Sequence, residues 1–185
     1  MKKTIWLSVV VLILSWTGIS HAQREIDNCF NFRNAGDYQR AIEAGKKAVR
    51  LYPRNVDAHF CLGASYILVG ELNLALSSMK EAERLTTSKN NLMFIYNNLG
   101  FIYNKKGDLD NALFYNSKYL SLSRELGNKR GEATALNNIA VIYRNKGELD
   151  KALDFYEQSL KLRPEKEKAP TYNNIAMIYN KKGGL

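Results

Sequence analysis

Three pairs of adjacent asparagines, Asn97-Asn98, Asn137-Asn138 and Asn173-Asn174, recur at spacings of 40 and 36 residues. A carboxamide carries both a donor and an acceptor, so it can satisfy both groups of a peptide unit in a bound chain. One amide repeated on each of several helices makes a ladder for an extended backbone, with little regard for its side chains. Asparagine is a mediocre helix former, so propensity does not account for three such pairs. The alternative is tolerated polar filler, copied as the segments duplicated. Six or seven residues beyond the pairs stand Lys105, Arg144 and Lys181. One cation per segment favours an acidic peptide or a free carboxylate, although a plain solvated helix end explains it equally well. Phe101 is the apolar candidate beside the amides, with Phe94, Val141 and Met177 on the same stretches.

The elements that must position these residues are set by a repeat. Asn34-Ala35-Gly36-Asp37-Tyr38-Gln39-Arg40-Ala41 returns as residues 68–75, 105–112 and 145–152, and a shortened copy closes the sequence at Lys181-Lys182-Gly183-Gly184-Leu185. The glycines at 36, 70, 107, 147 and 183 are 34, 37, 40 and 36 residues apart, a period that marks stacked supersecondary units. Ahead of each glycine, apolar residues fall at helical spacing, as in Leu136, Ile139, Ala140 and Tyr143. The glycine can take the left-handed conformation that ends a helix, and the acid after it can cap the next. That second helix carries a face on which small residues recur: Ala41, Ala44 and Ala48; Ala75 and Ala82 about Met79; Ala152 and Ser159 about Tyr156. Pro53 and Pro164, each 12 residues past the first alanine, close it.

The run Tyr96-Asn97-Asn98-Leu99-Gly100-Phe101-Ile102-Tyr103, then Gly107-Asp108-Leu109 and Ala112-Leu113, resembles the tetratricopeptide repeat family, over nearly all of residues 24–185. The usual early tryptophan is absent, and Tyr119 replaces a small residue. The 40-residue spacing, with Leu126 to Glu132, is similar to the longer-helix repeats of kinesin light chains. The resemblance implies an all-α, right-handed α-solenoid of about four and a half repeats: roughly 23–54, 55–87, 92–127, 132–165 and an incomplete 169–185. It also implies a concave peptide groove lined by the first helices, with backbone-holding amides at Asn98, Asn138 and Asn174. The family's carboxylate clamp is not implied, because Asn97 and Asn137 stand where it needs lysine. Tyr66, Tyr103, Tyr143 and Tyr179 match the family's packing position between helices, so they are expected in the core. The first two repeats offer Ile26-Asp27 and Phe60-Cys61 in place of the pair, which concentrates binding in residues 94–181.

Cys29 and Cys61 fall on the first helices of neighbouring repeats. Cys29 takes a small-residue packing place and Cys61 points nearer the groove, so two buried free thiols are expected, with a disulfide as the alternative. His59 is two residues from Cys61, on nearly the opposite helix face, which argues against a metal site. There is no serine or cysteine paired with a histidine base and no glycine-rich phosphate loop. The acids lie mainly on turns and outer faces. Neither an enzyme nor a cofactor is expected.

The chain opens with Met1-Lys2-Lys3, an apolar run from Ile5 to Trp16, and Ser20-His21-Ala22, the pattern of an export signal cleaved after Ala22. The run is short of the ~20 residues that span a bilayer, and an uncleaved anchor is the alternative. Removing Lys2 and Lys3 leaves 25 of the 27 basic residues against 18 acidic ones, a surplus of +7. Such a surplus suits acidic partners or anionic surfaces, while export counts against nucleic acid. The expected protein is a periplasmic or secreted non-enzymatic scaffold that binds a protein or peptide, touching a membrane only if the signal is uncleaved. The fifth repeat lacks a second helix, so it is a cap, a truncation, or an open end available for self-association. An envelope assembly subunit and the sensor part of a longer signalling protein are the rival roles.

Overall fold

The computed structural model describes residues 23–183, with the backbone alone at Lys181; the expected signal (1–22) and Gly184-Leu185 lie outside the described residues. Among the described residues there are nine α-helices and no strand. They fall into two compact units. The first holds α1 (23–34), α2 (Tyr38–Leu51), α3 (Val56–Leu68) and α4 (Leu72–Leu85). The second holds α5 (Lys89–Lys105), α6 (Leu109–Glu125), α7 (Lys129–Asn145), α8 (Leu149–Leu162) and α9 (Ala169–Gly183), with a 3-10 turn at Glu165–Glu167 ahead of α9. Within each unit every helix packs on the next in sequence, the pattern of stacked antiparallel hairpins. The fold class is the all-α solenoid.

The turns follow from their residues. Gly36, Gly70, Gly107 and Gly147 have φ of +81°, +80°, +78° and +83°, a conformation that a Cβ penalises. Asp37 and Asp108 then accept from the backbone N–H groups of Arg40 and Asn111, capping α2 and α6. Glu148 makes no such cap, because its carboxylate is one methylene further out and pairs with Lys151 at 2.6 Å. Gly183 differs from its counterparts: it is the last residue of α9 rather than a turn. The 40-residue spacing has a simple origin. Helices α5, α6 and α7 run 17 residues each, against 14 for α2, α4 and α8.

The alanine-rich face of the second helices is the centre of the packing. Ala41, Ala48, Ala75, Met79, Ala82, Ala112, Ala152, Tyr156 and Ser159 are all fully buried. Tyr66 is buried, Tyr103 stacks on Tyr115 with centroids 5.5 Å apart, and Tyr143 stacks on Phe155 at 5.3 Å. Tyr179 departs from the stripe: it is 58% exposed, because no later helix covers it among the described residues. Glu132, buried in the first turn of α7, receives Arg124 at 2.9 Å and Lys129 at 3.0 Å, and these bonds hold its carboxyl below the usual range.

The cysteines correct the expectation of free thiols. Cys29 and Cys61 form a disulfide, with Cα atoms 6.3 Å apart. Cys61 does not turn toward the groove; it is fully buried with Cys29 against Ala44. Gly45 makes the approach practicable, since a Cβ there would stand 3.2 Å from the Cys29 sulfur and as close to Leu62. No described helix is long and apolar enough to cross a membrane.

Candidate functional site

The first helices of the second unit, α5, α7 and α9, are tied side by side by polar groups one repeat apart. Asn138 Nδ2 donates to Asn97 Oδ1 at 3.1 Å, and Asn145 Nδ2 donates to Asn104 Oδ1 at 3.0 Å. Between α7 and α9, Thr171 Oγ1 donates to Asn137 Oδ1 at 3.3 Å and an Arg144 guanidinium nitrogen donates to Asn174 Oδ1 at 3.1 Å. These bonds set the register of neighbouring repeats. A polar interaction of this kind is worth about 1 kcal/mol net, so its main effect is geometric.

On this face a groove of about 220 Å³ opens between α5 and α7. Its walls are Phe101 and Lys105 on one side and Val141 and Ile142 on the other, with Asn116 and Asn138 at its polar end. Phe101 is 41% exposed, and the Lys105 ammonium sits 5.5 Å from its ring centroid, within cation–π range. Phe94 on α5 and Met177 on α9 are more exposed still, at 55% and 58%, while Val141 on α7 is half-buried. A wall of this type, apolar with a few fixed polar groups, can hold an extended chain.

The expected site residues fall in three groups. Asn138, Phe101 and Lys105 line the groove together. Asn97 and Asn137 are half-buried and accept the bonds from Asn138 and Thr171, so they act between helices. Asn98 donates from Nδ2 to the Phe94 carbonyl of its own helix at 2.9 Å, and Asn174 is engaged by Arg144. Arg144 also lies 3.7 Å from the Met177 sulfur. The side chain of Lys181 lies outside the described residues.

Sequence reasoning missed Asn116 and Gly100. Asn116, on α6, is 1% exposed, donates to the Ala112 carbonyl at 2.9 Å and accepts from Asn138 at 3.1 Å. Gly100 makes room for it: a Cβ there would overlap the Asn116 amide, standing 2.7 Å from its Cγ. The signal was present in the repeat itself. Four residues past the alanines at 41, 75, 112 and 152 stand Gly45, Met79, Asn116 and Tyr156, and only Asn116 is a carboxamide. At the matching place in the next repeat, the Tyr156 hydroxyl is buried without a partner, and burial raises its pKa.

Stacked hairpins with glycine turns, alanine contacts and an amide-lined face define a helical-repeat interaction scaffold. The chain belongs to the tetratricopeptide repeat family, whose models match residues 31–89 and 91–165. Among solved structures it resembles MamA: one crystal structure is 26% identical with a TM-score of 0.68, covering 88% of this chain and 82% of that one. A second MamA structure is 27% identical with a TM-score of 0.65, covering 83% of each chain. PilF of Pseudomonas aeruginosa shares the fold at 16% identity, with a TM-score of 0.72 over 91% of this chain and 72% of that one. No curated protein matches the sequence.

Proposed function

We propose that this protein is an exported, non-enzymatic scaffold that holds an extended, acidic peptide segment of a protein partner across α5, α7 and α9. The observation that carries the reading is the groove itself, where an exposed aromatic ring, a cation and a carboxamide converge in about 220 Å³. Family membership supports protein binding as the general role, since tetratricopeptide repeats are interaction scaffolds. Lys105 and Arg144 on the same face favour an acidic segment, and the surplus of basic residues acts in the same direction at longer range. Export rests on the signal pattern of residues 1–22, cleaved after Ala22 to leave a repeat domain from residue 23. The Cys29–Cys61 disulfide agrees with it, because such bonds persist outside the reducing cytosol.

The test is site-specific photo-crosslinking in the exporting cell. A photoreactive side chain in place of Phe101 on α5 is compared with one in place of Phe114 on α6, which is 50% exposed. Capture of one partner from the Phe101 position alone supports the groove. Equal capture from both positions, or capture from Phe114 alone, sinks it.

A second reading, self-association through α9, is favoured by the exposure of Tyr172 and Tyr179 at 48% and 58%. Sedimentation over a concentration series decides it. A monomer at every concentration removes this reading.

A further inference from the structure

We infer that Asn116 is a positioning residue that locks the Asn138 amide, so that the groove between α5 and α7 receives a hydrogen-bond donor, the backbone N–H of an extended peptide. This rests on the peptide-binding reading above and adds to it the polarity of one contact.

The orientation follows step by step from what each group is able to do. The Ala112 carbonyl can only accept, so the Asn116 atom 2.9 Å from it is the nitrogen. The oxygen of Asn116 therefore faces Asn138, and the Asn138 atom 3.1 Å away must be its nitrogen. The second proton of that nitrogen goes to Asn97 Oδ1, also at 3.1 Å. Both donors of Asn138 are thus committed, and Oδ1 is the group it has left for the groove it lines. A free carboxamide on a helix would present either end to a ligand. This one is held in a single orientation by a partner that is 1% exposed.

Packing does not explain why an amide occupies position 116. Met79 and Tyr156 fill the corresponding places of other repeats, and a buried carboxamide is costly unless fully bonded. Gly100 admits the amide, since any side chain there would drive it out of place, as Gly63 admits Met79 one repeat earlier. What differs at this groove is the carboxamide itself, in the place of Met79 and Tyr156, and its effect is to fix which end of Asn138 a ligand meets. A locked acceptor discriminates strongly, since a ligand atom that cannot donate leaves a desolvated oxygen facing a lone pair.

The experiment uses the whole protein and a linear peptide selected on it by phage display. Each backbone amide of that peptide is replaced in turn by an ester, which exchanges the N–H donor for an oxygen. One ester position is expected to weaken binding about tenfold or more, equivalent to one lost hydrogen bond facing an unpaired oxygen. In Asn116→Leu the Asn138 amide keeps only its bond to the half-buried Asn97, a carboxamide that can turn with it, and the penalty at that position falls to about threefold or less. Gly100→Ala, which displaces Asn116 without removing it, gives the same relaxation and covers the case in which Asn116→Leu fails to fold. Side-chain NMR supplies an independent readout. Both Asn138 amide protons exchange slowly in the native protein, and at least one becomes fast in either variant. A scan with no sensitive position, or a penalty unchanged by both variants, overturns this inference while leaving peptide binding intact. Failure to select any peptide that competes for the groove overturns the peptide reading, and this inference with it.

Discussion

Asn116 Oδ1 and Asn138 Nδ2 meet at 3.1 Å between α6 and α7, joining a fully buried amide to one that lines the groove. The pair therefore contributes to stability as well as to recognition. Asn116→Ala removes two hydrogen bonds and leaves a small void, and it is expected to cost about 2–3 kcal/mol in urea melts. Asn138→Ala also removes two hydrogen bonds and leaves the buried Asn116 oxygen unpaired, and it is expected to cost about 1–3 kcal/mol. Costs that simply add in the double variant would mean that the bond is not made in solution.

The disulfide gives a second prediction. Cys29 and Cys61 are 32 residues apart, and closing a loop of that size stabilises a chain by about 3–4 kcal/mol. Urea unfolding with and without reductant, followed through the first unit, measures this directly. A reduced protein as stable as the oxidised one would mean that the sulfurs are not bonded.

Acid stability should depend on Glu132. Its carboxyl is held below the usual range first by the Arg124 hydrogen bond and then by Lys129, so its native pKa is below its unfolded value of about 4.3. A depressed pKa stabilises fully above the unfolded value and loses that contribution as pH falls through the native one. Glu132→Gln is expected to cost about 1 kcal/mol at pH 7, discounted because both cations are more than half exposed. The difference between native and variant vanishes in melts near pH 2. A difference that persists there would show that charge is not the cause.

Charge on the groove face sets a fourth prediction. Replacing Lys105 and Arg144 together by Gln is expected to weaken an acidic peptide about tenfold and to flatten the salt dependence of its affinity. A peptide with its acids changed to amides should be indifferent to the substitution. Arg144 alone has a further effect, because its loss releases Asn174. Titration calorimetry at two ionic strengths distinguishes these outcomes.

The repeat was legible in the sequence because its turns and contacts are chemically obligatory. Gly36 and Gly107 occupy left-handed backbone, Asp37 and Asp108 cap the following helices, and the alanines at 41, 75, 112 and 152 allow close approach. None of these depends on distant partners. What the sequence hid was lateral. The cysteine pairing turned on Gly45, a residue of the intervening helix that leaves space for sulfur. The commitment of the Asn138 amide turned on Asn116, which a helix-by-helix reading treats as one more polar residue. Tyr179 carries the same residue type as Tyr143, yet only Tyr143 has a Phe155 to stack on. Identical residues in successive repeats therefore differ in role according to what the next helix supplies.

The central claim is that the face of α5, α7 and α9 binds an extended peptide through its amides. The most direct measurement compares the affinity of a display-selected acidic peptide for the native protein and for Asn98→Ala/Asn138→Ala/Asn174→Ala, with melting curves as the control for folding. A loss of at least about tenfold, with a cooperative melt retained, is the predicted result. Unchanged affinity in a folded variant would contradict the account and place binding on another surface.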